Sequence, residues 1–285
     1  MKVVTRLDAL REARAVCADP FGLVPTMGYL HEGHLSLVRR ARAECASAGV
    51  SIFVNPTQFG PNEDLEAYPR DLDRDLAMLS DAGVDVVWTP EVEDLYPPGN
   101  PTWVHVEGLT QVLEGAERPG HFRGVTTVVG KLFNAFQPTR AYFGQKDAQQ
   151  ARVIQRMTED LLFPLEIVVC PIVRESDGLA MSSRNTYLSP EQREAATVLS
   201  HALEAASTLY DSGAKDAEGL RAKMLEILGM QPLAKVHYVS VADPVSLQEL
   251  QGPVEHALLS MAVTIGKTRL IDNCLLGSPT ASLGV

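Results

Sequence analysis

Three short segments of this 285-residue chain carry side chains whose types and spacing could do chemistry. The first is His31-Glu32-Gly33-His34, placed after Thr26-Met27-Gly28. Two histidines three residues apart share one face of a helix start, where free backbone N–H groups and the helix dipole add positive potential. That combination suits an anion with several phosphates, and Gly28 and Gly33 let backbone or ligand approach closely. The second is Gly144-Gln145-Lys146-Asp147, followed by Gln149-Gln150, in which Lys146 offers a point charge for phosphate. The third is Met181-Ser182-Ser183-Arg184, after the turn Asp177-Gly178. Its two hydroxyls and its guanidinium can clamp phosphate oxygens, the guanidinium bidentately. A fourth, Asn55-Pro56-Thr57-Gln58-Phe59, offers Gln58 to a hydroxyl or carboxylate of a small substrate. Taken singly, each has an ordinary explanation as capping histidines, a surface lysine or a solvated polar loop. Zinc is a weaker reading of the histidine pair, because metalloprotease zinc helices use a spacing of four.

The elements around these segments put each at a strand end or a domain junction. Leu7, Leu10 and Val16 have helical spacing, and residues 21–25 read as a strand leading into the Gly28 turn. A helix is expected from about His31, a strand over 51–55, a helix over 71–82 and a strand over 84–88. Residues 115–124 read as a polar glycine-rich loop and 125–136 as an apolar helix. A strand over 141–144, a helix over 147–161 and a strand over 165–173 follow. Alternation of this kind predicts an α/β fold, a doubly wound parallel sheet with crossover helices, and ligands outside the carboxyl ends of its strands. After Arg174 the character changes. Ser189-Pro190-Glu191-Gln192 has the form of a capping box, opening a long helix to about Ser212. A helix over 216–228 and strands over 236–241, 257–263 and 268–271, the last two separate or one bent strand, give an α+β pattern. The expected division is a first domain over 1–175 and a smaller one over 176–285.

Composition narrows the partners. Lys and Arg number 25 against 36 Asp and Glu, a formal charge of 25 − 36 = −11, with no long basic run. A negative surface repels phosphate backbones, so nucleic acid is not an expected partner. Cys17, Cys45, Cys170 and Cys274 are scattered with no CxxC pair, which fits a reducing compartment and no cysteine zinc site. The first 16 residues have no signal-peptide core, and no apolar run approaches membrane-spanning length. The expected location is the cytoplasm, away from membranes.

Together the segments resemble the HIGH/KMSKS nucleotidyltransferase superfamily, with His31–His34 standing for the first signature and Met181–Arg184 for the second. Within it the chain is similar to the pantothenate synthetase, or pantoate–β-alanine ligase, family. The strings that carry this are PTMGYLHEGH at 25–34, VNPTQFGPNED at 54–64, YPR at 68–70 and GHFRGV at 120–125, then FGQKDAQQ at 143–150, DGLAMSSRN at 177–185 and GKTRLIDN at 266–273. The resemblance implies a homodimer with a Rossmann-like domain holding the site and a C-terminal domain closing over it. It implies an ATP-dependent ligase, working with Mg²⁺, that forms pantoyl adenylate and passes the acyl group to β-alanine. Met27, Gly28, Tyr29, Leu30, His31, Glu32, Gly33 and His34 would line ATP, with Gly144, Gln145, Lys146, Asp147, Val173, Met181, Ser182, Ser183 and Arg184. His31, His34, Lys146, Ser182, Ser183 and Arg184 would act in catalysis. Gln58 would contact pantoate and β-alanine and Gln150 would bind pantoate, while Val128, Val129 and Leu132 are candidates for a wall against the pantoate gem-dimethyl group. No residue is assigned to a metal. The chain departs from the family pattern at Gln145, where Glu is common, at Ala148, where a bulkier residue is common, and at Tyr29, where a small residue is often seen.

Two other readings stay open at this level. One is a nucleotidyltransferase of the same fold that joins a nucleotide to a phosphate and stops. The other is a module that binds a nucleotide without turnover.

Overall fold

The computed structural model describes residues 1–61 and 63–277. Its first sheet has six parallel strands. They are β1 (Lys2–Val4), β2 (Phe21–Thr26), β3 (Ser47–Ile52), β4 (Val86–Trp88), β5 (Arg140–Gly144) and β6 (Glu166–Cys170), in the order β1-β4-β3-β2-β5-β6. Around them lie α1 (Leu7–Ala15), α2 (Glu32–Glu44), α3 (Leu72–Asp81), α4 (Val92–Leu95), α5 (Leu113–Glu117), α6 (His121–Phe136) and α7 (Ala148–Asp160).

The period of two along each strand decides which core a side chain joins. Phe21 and Leu23 of β2, Val86 and Trp88 of β4, and Ala141 and Phe143 of β5 face a core shared with α1, α6 and α7. Val24, Val87 and Tyr142, at the alternate positions, face the opposite core with Leu37, Val38 and Ala41 of α2. Helix α6 buries 13 of its 16 residues, which is why it reads as apolar on every side.

Strand order reverses between β2 and β5. The chain runs outward through β3 and β4 on one side and through β6 on the other. The crevice at such a reversal is where open α/β sheets bind ligands. Here it lies between the turn after β2, which carries the histidines, and the turn after β5, which carries Lys146.

The second sheet is antiparallel, with β7 (Ala234–Ala242), β8 (Ala257–Ile265) and β9 (Thr268–Leu276) in that order. The helices α8 (Pro190–Ala195), α9 (Val198–Asp211) and α10 (Ala217–Gly229) share its core. Leu247 and Leu258 pack instead into the core of α1, α6 and α7.

Several boundaries differ from the sequence expectation. Strand β3 lies four residues early, because the small residues of Ser47–Ile52 are buried without looking apolar. The stretch 115–124 is not all loop. Helix α5 ends inside it, and α6 starts at His121 after Gly120, whose left-handed backbone (φ 86°) ends the turn. The Ser189 capping box is present, but α8 stops at Ala195 and a separate α9 follows. Strands β8 and β9 form a hairpin through Gly266 and Lys267, not one bent strand.

Candidate active site

The Thr26-to-His34 turn is shaped by α3. Gly28 takes φ 82°, and Tyr29 is held at φ 50°, a conformation few non-glycine residues adopt. The buried carboxylate of Asp75 accepts the backbone N–H groups of Tyr29 and Leu30, each at 2.7 Å. The Arg74 guanidinium donates to the Leu30 carbonyl at 3.0 Å and lies over the Tyr29 ring. Held this way, the chain enters α2 with His31 as its cap.

Both histidine rings are fixed through the same nitrogen. The Gly33 N–H donates to His31 Nδ1 (3.1 Å), and the His31 N–H donates to His34 Nδ1 (3.3 Å). With Nδ1 accepting, each neutral ring carries its proton on Nε2, where it can donate to an oxyanion. The ring centroids are 4.1 Å apart. Gly33 is required here, since a Cβ would sit 2.9 Å from the His31 ring. Burial first, then the Lys146 charge, lowers the His31 pKa to about 4. Burial first, then His31, lowers that of His34 to about 3. Burial therefore favours the neutral form of both rings, and the cationic side chains of the cavity lining are Lys146, Arg118 and Arg184.

A cavity of about 230 Å³ occupies the crevice. It is lined by Met27, His31, Gly33 and His34 from the β2 turn, Gly144, Lys146 and Asp147 from the β5 turn, and Val173, Met181, Ser182, Ser183 and Arg184 from the segment after β6. Gln58 and Gln150 also line it, as do Val128, Val129 and Leu132. The wall side chains are at most 6% exposed, so they belong to the core and the cavity at once. Gly28, Tyr29, Leu30, Glu32 and Gln145 are not in the lining. Leu30 is fully buried, Glu32 pairs with Arg39, and Gln145 turns to Asn273. Tyr29 faces Arg74, so its bulk does not narrow the cavity.

Gln58 is oriented by Asn55, three residues before it, and by His121, distant in sequence. Asn55 Nδ2 donates to Gln58 Oε1 (3.1 Å) and to the Gly124 carbonyl (3.1 Å). His121 Nδ1 donates to the Gln58 carbonyl at 2.8 Å, and its Nε2 accepts from Arg118 at 3.2 Å. Arg118 in turn makes a bidentate pair with Glu63 at 2.8 and 2.6 Å. Asp64, next in the chain, makes the same kind of pair with Arg184, both bonds at 2.8 Å. Burial acts against the Arg184 charge, but the Asp64 carboxylate outweighs it and holds the guanidinium pKa above its ordinary value. Asp64, Arg118 and His121 were legible in the sequence only as members of the strings at 54–64 and 115–124, without a role.

His121 gives the site a pH signature. Burial, then the Arg118 charge, lowers its pKa to about 4 from an ordinary 6.5. An unfolded chain binds that proton first, so stability is full above pH 6.5 and falls as the pH drops toward about 4. That difference corresponds to on the order of 3 kcal/mol. The melting temperature should therefore decline between pH 6.5 and 4, and His121→Gln should flatten the slope. A level profile in the native chain between pH 7 and 5 would contradict the burial of these rings.

A family model described as pantoate-beta-alanine ligase matches residues 2–275. The chain belongs to the pantoate-beta-alanine ligase family. A pantothenate synthetase of Herpetosiphon aurantiacus is 60% identical over 277 residues, 97% of this chain and 100% of its own length. One from Roseiflexus sp. is 60% identical over 276 residues, 97% of this chain and 99% of its own length. The crystal structure of pantothenate synthetase from Thermus thermophilus superimposes with a TM-score of 0.92 at 49% identity, covering 96% of this ligase and 99% of that chain. The Francisella tularensis ligase, solved with beta-gamma ATP and β-alanine, gives a TM-score of 0.77 at 36% identity, over 96% of this chain and 97% of its own. Among the described residues of this ligase, no helix is long and apolar enough to cross a membrane.

Proposed function

We propose that the cavity activates the carboxylate of (R)-pantoate with ATP and hands the acyl group to β-alanine, giving pantothenate, AMP and pyrophosphate. One observation carries the assignment of roles. Met27, His31, Gly33 and His34 meet Gly144, Lys146, Asp147 and residues 181–184 in a single cavity, beside two glutamines and an apolar wall. In the first step the carboxylate attacks the α-phosphorus in line and pyrophosphate leaves. A carboxylate needs no deprotonation, so the protein supplies position and charge. Lys146 and Arg184, the hydroxyls of Ser182 and Ser183, and the Nε2–H groups of His31 and His34 stabilise charge on the phosphates. Gln58 and Gln150 take the polar groups of pantoate, and Val128, Val129 and Leu132 its methyl groups. In the second step the β-alanine amine attacks the acyl carbon and AMP leaves.

Magnesium belongs to the proposal as the companion of ATP. Mg²⁺ keeps several waters and takes one or two carboxylates besides phosphate oxygens. Asp147 fits that need. It is a carboxylate of the cavity lining, its side chain is 48% exposed, and its contact with Lys146 is a loose 3.9 Å. Bound there, the ion would neutralise phosphate charge. We also propose that residues 1–175 and 176–285 act as two domains, the second closing over the site, and that the chain works as a homodimer in the cytoplasm. Four free thiols suit a reducing compartment.

The deciding experiment is exchange of labelled pyrophosphate into ATP with pantoate present and absent. Exchange that depends on pantoate, followed by amide formation once β-alanine is added, is the expected result. Exchange without amide would favour a nucleotidyltransferase that stops at the first step, and ATP binding without exchange would favour a binding module.

A further inference from the structure

The string Gly266–Asn273 is distinctive in the sequence, yet the reaction as described gives it no task. Its last residue lies on β9 of the antiparallel sheet and is 3% exposed. Asn273 Nδ2 donates to the carbonyls of Gln145 (3.0 Å) and Lys146 (2.9 Å). Its Oδ1 accepts from Gln145 Nε2 at 3.3 Å. The two main-chain carbonyls can only accept, so they fix which way the Asn273 amide faces, and its Oδ1 in turn orients the Gln145 amide. The carbonyls belong to the single 3₁₀ turn Gln145–Asp147, which carries Lys146 and Asp147 into the cavity.

Asn273 is itself anchored. Its N–H donates to Asp272 Oδ1 at 2.8 Å, and the Asp272 side chain is 1% exposed. Arg174 pairs with both Asp272 oxygens, at 2.6 and 3.0 Å, and reaches the Asn273 carbonyl at 3.4 Å. A continuous set of bonds thus runs from Arg174, at the end of the parallel-sheet half, through β9 to the Lys146 turn.

We propose that Asn273 is a positioning residue that aims Lys146 at the triphosphate by holding the peptide planes of residues 145 and 146. The lysine stem has four rotatable bonds, so the reach of its ammonium depends on a fixed starting backbone. Without the Asn273 amide, two carbonyls lose their donor and the turn relaxes. The antiparallel half then contributes to phosphate binding without touching a phosphate. The inference rests on the ligase reading for its purpose, but its test needs no turnover.

The test measures affinities for ATP and for adenosine, which has no phosphate, by calorimetry. Asn273→Ala should weaken ATP about 10- to 100-fold, the loss expected for two hydrogen bonds. Adenosine affinity should change by about twofold or less, and so should ATP affinity when Asn273→Ala is added to Lys146→Ala. Equal loss of both ligands, full additivity with Lys146→Ala, or a lower melting temperature with unchanged ATP affinity would each overturn the proposal. Should Asn273→Ala not fold, Asn273→Ser, which keeps one small donor, carries the same comparison with a smaller expected loss. Pantoate-dependent exchange in the native chain tests the ligase reading separately, so failure of one is not failure of the other.

Discussion

Lys146→Ala should lower pantoate-dependent ATP–pyrophosphate exchange by about 10²–10³-fold, the cost of removing one donor aimed at transition-state charge. Fold stability should barely change. The Lys146 side chain is 22% exposed, and its nearest acid is 3.9 Å away, so it makes no bond on which packing depends. His34→Ala should lose exchange to a similar degree but should also cost about 1 kcal/mol of stability, because its Nδ1 accepts the capping N–H of His31. Melting curves beside exchange rates separate the two. A Lys146→Ala protein with full exchange would remove lysine from the mechanism.

Gly124→Ala should be the most damaging single methyl in the site. A Cβ at Gly124 would lie 2.5 Å from the Thr57 carbonyl oxygen and 2.7 Å from the Gln58 nitrogen, both backbone atoms. Neither can yield as a flexible side chain would, so α6 and the Pro56–Gln58 turn must separate. Overpacking of this kind costs about 1–3 kcal/mol. The Asn55 bond to the Gly124 carbonyl would stretch as well, and with it the orientation of Gln58. The expected readout is a lower melting temperature together with a raised KM for pantoate, while ATP affinity changes little. Unchanged KM with only a stability loss would mean that the contact is packing alone.

How much of this was visible in the sequence follows from how local each cause is. Strand β2 and helix α2 were legible because apolar periodicity and the His31 cap lie within a few residues of one another. Segments 27–34 and 144–147 were legible because each sits at a strand end, and 181–184 because its Ser-Ser-Arg run stands near the change of pattern after Arg174. Strand β3 was misplaced because Ser47 and Ser51 are buried polar residues in a strand of small side chains. The start of α6 was missed because Gly120 and Gly124 resemble loop residues until their packing is seen. Least legible were partners brought together by the fold. Arg118 meets Glu63 across 55 positions, Arg184 meets Asp64 across 120, and Asn273 meets Gln145 across 128. Nothing in local spacing announces such pairs. The protonation of the histidines could not be read from the sequence either, because burial, which favours their neutral form, is a property of the fold.

The direction in which the two imidazoles are hydrogen-bonded bears on the second half of the reaction. The lone pair of His34 that could take up a proton already faces a main-chain N–H. With a pKa of about 3 against about 10 for a free amine, pulling a proton from an ammonium would be uphill by roughly 10 kcal/mol. His34 is therefore a poor acceptor for the proton that β-alanine must lose, and the expected result is an amide-forming rate that rises with pH as free amine becomes more abundant.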